Sequence, residues 1–337
     1  MSESLKIGII GLGRMGKIHL GNLCTKIMGV EVIAVMNPSQ KGLAIAKRYN
    51  IPLTTTNVDV IFNHPNIDAV VICSPTDTHS DYVNRAAIAG KAIFCEKPLD
   101  LSLEKALHTL RIVKEAKAPL MMAFNQRLDP TFEEVKNKIM EGKVGQIHTI
   151  HIISRDPTPP PISFIKHSGG LFMDMTIHDF DMARHLVGKE VLEVFAKGYN
   201  LLDPEIGEAG DIDTGIILLT FENNITVTIE NSRKAVYGYD QRIEVFGSLG
   251  MIQANNPLKT NTEFSDESGT HLPRNLDFFM DRYLVSYQRE MEAFIDALKN
   301  KTPMPITGED ALHAMKVAIA ANISVRENRP VKISEVE

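Results

Sequence analysis

An α/β domain on a parallel sheet, followed by an α+β domain with an open antiparallel sheet, is the fold this sequence predicts. Three observations carry it. The chain has 337 residues, which at about 150 residues per domain gives two domains, each long enough to bury a core. Up to about Ala123, short β-branched runs alternate with helix-length amphipathic runs. After Phe124 that rhythm gives way to longer strands separated by hairpin signals, so the expected boundaries are 1–124 and 125–337.

The first domain reads in order as the strand Lys6 to Ile10, a helix from Met15 to Met28, the strand Glu31 to Met36 and a helix from Gln40 to Tyr49. Next come the strand Ala69 to Ile72, a helix from Ser80 to Ala89, the strand Ala92 to Cys95, a helix from Leu103 to Ala116 and the strand Leu120 to Ala123. Strands this uniformly apolar are buried on both faces, which is the habit of parallel sheets. In the second domain a helix over Pro130 to Glu141 precedes the strand Gln146 to Ser154 and the proline-rich stretch Asp156 to Pro161. A helix from Met173 to Leu186 leads to strands at Val191 to Tyr199, Gly215 to Phe221, Ile225 to Ser232 and Gln241 to Phe246. Glu222-Asn223-Asn224 and Gly247-Ser248-Leu249-Gly250 are the turn signals. The tail is helical over Tyr287 to Leu298 and Gly308 to Glu327, the latter capped by Thr307 with Asp310 three residues on, and is expected to pack back on the first domain.

Composition excludes several classes. At 44% hydrophobic and 23% charged the chain is neither disordered nor collagen-like. A net charge of -6 with scattered Lys and Arg offers no footprint for nucleic acid or an acidic membrane, so a small molecule is the expected partner. Cys24, Cys73 and Cys95 are odd in number and far apart, which fits a reducing cytoplasm rather than a disulfide framework or a zinc knuckle. The first residues lack a signal-peptide pattern, and no apolar run approaches the roughly 18 residues that span a bilayer.

Gly11-Leu12-Gly13-Arg14-Met15-Gly16 follows the first strand directly and opens an apolar-periodic helix. That is the setting of a dinucleotide fingerprint, and hence of a Rossmann domain: Gly11 for the tight turn, Gly13 for close approach to the pyrophosphate, Gly16 for helix–strand packing. About twenty residues on, NAD-type folds carry an acid for the ribose hydroxyls. Here Asn37 stands there, with Ser39 and Lys41 after it. Asn37 can bond a hydroxyl yet does not repel a 2′-phosphate, so NAD is expected and NADP stays open.

Cys95-Glu96-Lys97-Pro98 ends a buried strand, where open α/β sheets bind ligands, so Lys97 projects towards the nicotinamide end of the cleft, with Pro98 expected in cis. A lysine there can exchange a proton with a reacting hydroxyl, although the dipeptide alone equally suits an ordinary surface lysine. Within Gly169 to Asp181, Asp174 and His178 sit one helical turn apart, on one face. His178 is the natural base for an alcohol proton, with Asp174 orienting it or holding a neighbouring hydroxyl. Asp181 and His185 extend the stripe, but without a thiolate or an H-x-x-x-H spacing no metal is expected.

With the fingerprint, Glu96-Lys97-Pro98 and Asp174-x-x-x-His178 together, the whole chain resembles the glucose-fructose oxidoreductase, inositol dehydrogenase and rhizopine catabolism (Gfo/Idh/MocA) family. Within it, Phe124 to Pro130, Ser154 to Pro157, Asp174 to Asp181 and Tyr237 to Arg242 look like the inositol 2-dehydrogenases. The resemblance implies a Rossmann domain plus a domain with a large open, mostly antiparallel sheet whose outer face builds a homotetramer. It implies Lys97, Asp174 and His178 as catalytic residues and Arg127, Asp156 and Tyr239 as contacts to the substrate ring. Ser74, Thr76 and His79 match the stretch bordering the nicotinamide ribose, and Arg14, Met15, Glu96 and Lys97, with Ser39, complete the cofactor set. Read alone, Arg127 suits a helix-end ion pair, Asp156 a turn and Tyr239 a hairpin edge. Two departures stand out: Asn37 replaces the usual acid, and Leu128 a commonly aromatic position.

The expected reaction is oxidation of a ring secondary alcohol of a cyclic polyol, myo-inositol to its 2-keto form, with Lys97 stabilising the oxygen that His178 deprotonates. The alternatives are a scyllo-inositol or sugar dehydrogenase using NADP and, in another class, a dinucleotide-sensing regulator without catalysis. Retention of both Lys97 and His178 weighs against the regulator.

Overall fold

The computed structural model describes residues 4–336. They divide into two compact units, one of residues up to 128 with 285–312, the other of 129–284 with 313–336.

The first unit holds six strands, β1 (Leu5–Ile10), β2 (Val30–Met36), β3 (Leu53–Thr55), β4 (Ala69–Ile72), β5 (Ala92–Glu96) and β6 (Leu120–Ala123). They form one parallel sheet in the order β3-β2-β1-β4-β5-β6. Ile7, Ile9, Val70, Val71, Ile93 and Phe94 are all fully buried, as two-sided cover demands. The order reverses direction between β1 and β4, so the chain ends of β1, β4 and β5 open side by side at the switch point where such sheets bind ligands. Ser102 caps the helix Leu103–Ala116 by accepting from the Lys105 amide. Thr307 and Asp310 cap each other's amides at the start of helix Gly308–Glu327, as their spacing predicts.

Two elements here escape the periodicity. The helix expected over Gln40 to Tyr49 is broken into Gln40–Leu43 and a 3₁₀ turn, Ala46–Tyr49, closed by Asn50 in the left-handed region. Gly42 lies against the Asn37 carboxamide, where a Cβ would come within 2.1 Å of Nδ2. The short β3 was not anticipated, having only three residues after Pro52 to declare itself.

The second unit is organised on β7 (Ile147–Arg155), β8 (Val191–Tyr199), β9 (Thr214–Phe221), β10 (Thr226–Ser232), β11 (Asp240–Gly247) and β12 (Met251–Ala254). A small exposed hairpin, β13 (Phe264–Asp266) with β14 (Gly269–His271), follows, and β15 (Val331–Lys332) ends the list. The seven-stranded sheet runs β12-β11-β7-β10-β9-β8-β15. Its pairs are antiparallel except β7 with β10, which run parallel, so the sheet is mixed rather than purely antiparallel. Ile150, Ile152, Ile217, Leu219, Val227, Ile229 and Val245 form its buried face, and helix Ile177–Val187 packs on β7. Behind the prolines lies an unanticipated helix, Ile162–Ser168. The helix expected from Met173 is instead a π-helical turn, Phe172–Thr176, running into Ile177–Val187. Such wide turns are frequent at functional sites.

Candidate active site

In the first unit the glycine loop behaves as its spacing predicts. Gly11 has φ +94°, and a Cβ on it would meet the Cys73 carbonyl oxygen at 2.6 Å. On Gly16 a Cβ would meet the Gly11 carbonyl oxygen at 1.9 Å, so the helix Arg14–Thr25 can lie this close to β1 only without a side chain. Gly13, the N-cap, faces open space and brings no capping side chain, and the first helical turn carries no acid. A helix end left uncapped and unshielded suits a pyrophosphate, so the residues present fit a dinucleotide. Asn37 accepts the Leu12 amide on Oδ1 at 3.0 Å and donates to the Ser39 carbonyl at 3.0 Å. Its carboxamide thus ties this loop to the end of β2, with one donor and one acceptor position remaining.

The loops after β4 and β5 are joined by His79. This buried ring lies 2.7 Å from the Pro98 carbonyl through Nδ1 and 2.9 Å from the Ser74 carbonyl through Nε2. His79 therefore braces the loops rather than reaching out from them, while the Ser74 hydroxyl bonds that of Thr78 at 2.6 Å. Thr76 opens the 3₁₀ turn between them, and the Lys97–Pro98 peptide is cis. Arg127 Nη2 pairs with Asp310 Oδ1 at 3.1 Å, as the ion-pair reading of that arginine foresaw.

In the second unit the end of β10 gathers Asp156, Asp174 and Asp179. The Asp156 amide donates to the Ser232 carbonyl at 2.9 Å, and the Asp156 carbonyl accepts from Ala235 at 2.6 Å. Arg233, wholly buried, donates to Asp174 Oδ2 at 3.4 Å and to Asp211 Oδ2 at 3.1 Å. Asp211 also takes the Leu171 amide at 2.9 Å, so one guanidinium fixes both the entry to the π turn and the carboxylate that the turn carries. Asp179, beside His178, is fully buried and accepts from Asn231 Nδ2 at 2.8 Å and Gln241 Nε2 at 3.0 Å. Burial pushes its carboxyl up to about 7; the two amides oppose the shift and the Asp156 charge adds to it. Asn231 also accepts from Thr176 at 2.7 Å, joining the π turn to this network. Tyr239 is buried, its ring edge-on to Tyr283 with centroids 6.0 Å apart.

Sequence reasoning missed Arg233, Asp211, Asn231 and Gln241, because residues so far from Asp174 and Asp179 in the chain leave no spacing signal. It also missed Glu290, which did have one. Glu290 lies on the stripe of Tyr287, Met291 and Phe294 in helix Leu284–Asn300, so a charged residue falls on an apolar face. His19, Cys73 and Glu96 offer three donor atoms within 4.8 Å of one another. His19 Nε2 and Glu96 Oε1 are 2.9 Å apart, a hydrogen bond, closer than the about 3.3 Å between two ligands on one tetrahedral zinc.

Fold and loop together define an oxidoreductase that binds a nicotinamide dinucleotide. Comparison with known proteins sharpens this: residues 5–124 match the oxidoreductase family with an NAD-binding Rossmann fold, and 132–253 the Gfo/Idh/MocA C-terminal domain. The chain belongs to the Gfo/Idh/MocA family. It is 44% identical to the myo-inositol 2-dehydrogenase of Thermotoga maritima, over 98% of this chain and 99% of that one. It is also 44% identical to the inositol 2-dehydrogenase of Rhizobium meliloti, over 98% of this chain and 100% of that one. Among solved structures, a probable dehydrogenase from Thermotoga maritima superposes with a TM-score of 0.97 at 44% identity, covering 99% of this chain and 100% of that one. The scyllo-inositol dehydrogenase of Lactobacillus casei, with NAD(H) and scyllo-inositol bound, gives 0.92 at 33% identity, covering 98% and 100%. Among the described residues no helix is long and apolar enough to cross a membrane.

Proposed function

We propose that this protein is an inositol 2-dehydrogenase, oxidising a ring secondary alcohol of a cyclic polyol, myo-inositol first, to the 2-keto form with NAD. The observation that carries this reading is the Arg233-anchored carboxylate of Asp174, presented one turn before His178. End-to-end identity with proteins bearing that name supports it. The dinucleotide supplies a hydride acceptor; the rest falls to the chain. His178 takes the hydroxyl proton, Lys97 donates to the alcohol oxygen as negative charge develops on it, and Asp174 holds a ring hydroxyl. Asp156, Tyr239 and Arg127 complete the ring contacts. Gly11, Gly13, Arg14, Met15, Gly16, Asn37, Ser39, Ser74, Thr76, His79 and Glu96 hold or brace the dinucleotide.

NAD is the preferred dinucleotide, because the bridging Asn37 keeps a polar group for a ribose hydroxyl and no arginine adjoins it for a 2′-phosphate. The protein assembles as a homotetramer through the outer face of the seven-stranded sheet, where Leu192, Ile216, Leu218, Phe246 and Met251 are exposed. Initial rates on myo-inositol, scyllo-inositol, glucose and galactose, each with NAD and with NADP, test the assignment. Turnover highest on myo-inositol with NAD is expected. Tight dinucleotide binding with no turnover on any polyol would overturn it in favour of a sensor.

A further inference from the structure

Glu290 is an acid inside the core of the first unit. It is fully buried, and neither carboxyl oxygen has a hydrogen-bond partner. A carboxylate left so would pay a large desolvation penalty with nothing to offset it. The groups that face it, among the described residues, are His19 of helix Arg14–Thr25, with Nε2 at 3.7 Å, Glu96 at the end of β5, and the half-buried Cys73 thiol after β4. His19 is itself buried, edge-on to Phe94 and to Tyr287 on the helix of Glu290, and its Nε2 is 2.9 Å from Glu96 Oε1. Two carboxyls therefore address one imidazole nitrogen, and one of them directly precedes Lys97. None of the groups facing Glu290 is a lysine or arginine.

We propose that Glu290 is a proton-holding positioning residue for the Glu96–Lys97 segment: neutral, it leaves His19 to Glu96, and ionised, it competes for the same imidazole. The geometry sets the direction. At 3.7 Å the neutral carboxyl makes no hydrogen bond to His19, whereas a carboxylate at that distance in a dry interior attracts its N–H strongly. Burial, and after it the Glu96 charge, push the Glu290 carboxyl well above the usual carboxylate range. The proton released from Glu290 goes to solvent, and no other reactant is needed.

Because the folded state holds this proton more tightly than the unfolded chain, the stability it confers is complete below the unfolded carboxyl value. It is lost as pH rises towards the folded one. Glu290→Gln keeps the shape of the neutral form and cannot ionise. The test is thermal melting of wild type and Glu290→Gln without ligand, with NADH affinity by nucleotide fluorescence, from about pH 6 to about pH 9. The expected result is a melting gap in favour of Glu290→Gln that widens as pH rises. Wild-type NADH affinity should also fall about threefold or more over that range while that of the variant stays level. Parallel melting curves, or the same fall in affinity in both proteins, would overturn the proposal. Should Glu290→Gln fail to fold, His19→Gln removes the shared imidazole; its NADH affinity should be level with pH, and a fall like wild type would again overturn it. Neither readout needs a substrate, so the result stands apart from the inositol assignment.

Discussion

The two units hold their functional groups by different means. In the first, backbone does the holding: glycines without a Cβ, and carbonyls of Ser74 and Pro98 braced by His79. In the second, side chains hold side chains, with Arg233 on Asp174 and Asp211, and Asn231 and Gln241 on Asp179. Backbone scaffolds fail by steric clash, which is local. Buried charge networks fail by leaving an uncompensated ion, which is felt throughout, so the second unit should be the more sensitive to single changes.

Arg233→Met is the largest expected effect. It leaves Asp174 and Asp211 close together without their guanidinium, at a cost of about 3–5 kcal/mol in chemical denaturation and with the substrate KM raised while NADH binding persists. A loss under about 1 kcal/mol would break the comparison. Next comes the pH response of Asp179. Its carboxyl is raised from 3.8 to about 7 in the fold, so the folded state holds the extra proton and stability falls as pH climbs through that window, by a few kcal/mol in all. Asp179→Asn should lower stability overall, because an amide turns a donor towards Asn231 or Gln241, yet flatten that slope; an unchanged slope would assign it elsewhere.

Gly16→Ala sharpens the other side. A methyl 1.9 Å from the Gly11 carbonyl must push the helix off β1, costing about 1–3 kcal/mol by melting and most of the NADH affinity. Gly13→Ala, with no atom within 4 Å of the new methyl, should fold normally and lose affinity alone. The smallest effect is Asn37→Asp, which keeps the acceptor for Leu12 and adds charge. It should raise the NAD over NADP preference in kcat/KM about tenfold, or about 1.4 kcal/mol.

The same contrast decides what could be read in advance. Strands β4 and β6 and helix Leu103–Ala116 fall where apolar runs and caps place them, because parallel strands buried on both faces announce themselves locally. The fingerprint was legible since its glycines recur at a fixed spacing directly between β1 and the helix Arg14–Thr25. The π turn at Phe172–Thr176 was not, because it differs from an α-helix by one residue in its hydrogen bonding and leaves the apolar pattern intact. Nor was the parallel pairing of β7 with β10, which joins Thr149 to Thr226 across most of the second unit. Asp174 and His178 could be named from their spacing, but Arg233 could not, since nothing in Asn231-Ser232-Arg233-Lys234 marks an arginine bound for the interior. Glu290 was readable in principle, as an acid on an apolar stripe.

On the proposed reading, Lys97 and His178 perform the chemistry of a polyol oxidation while leaving the dinucleotide bound. Turnover of myo-inositol with NAD by wild type, Lys97→Ala and His178→Ala, alongside NADH affinity for each, tests it most directly. Each variant is expected to lose about a hundredfold or more in kcat and to hold NADH as wild type does. Variants that turn over like wild type, or lose rate only in proportion to lost NADH binding, would contradict it.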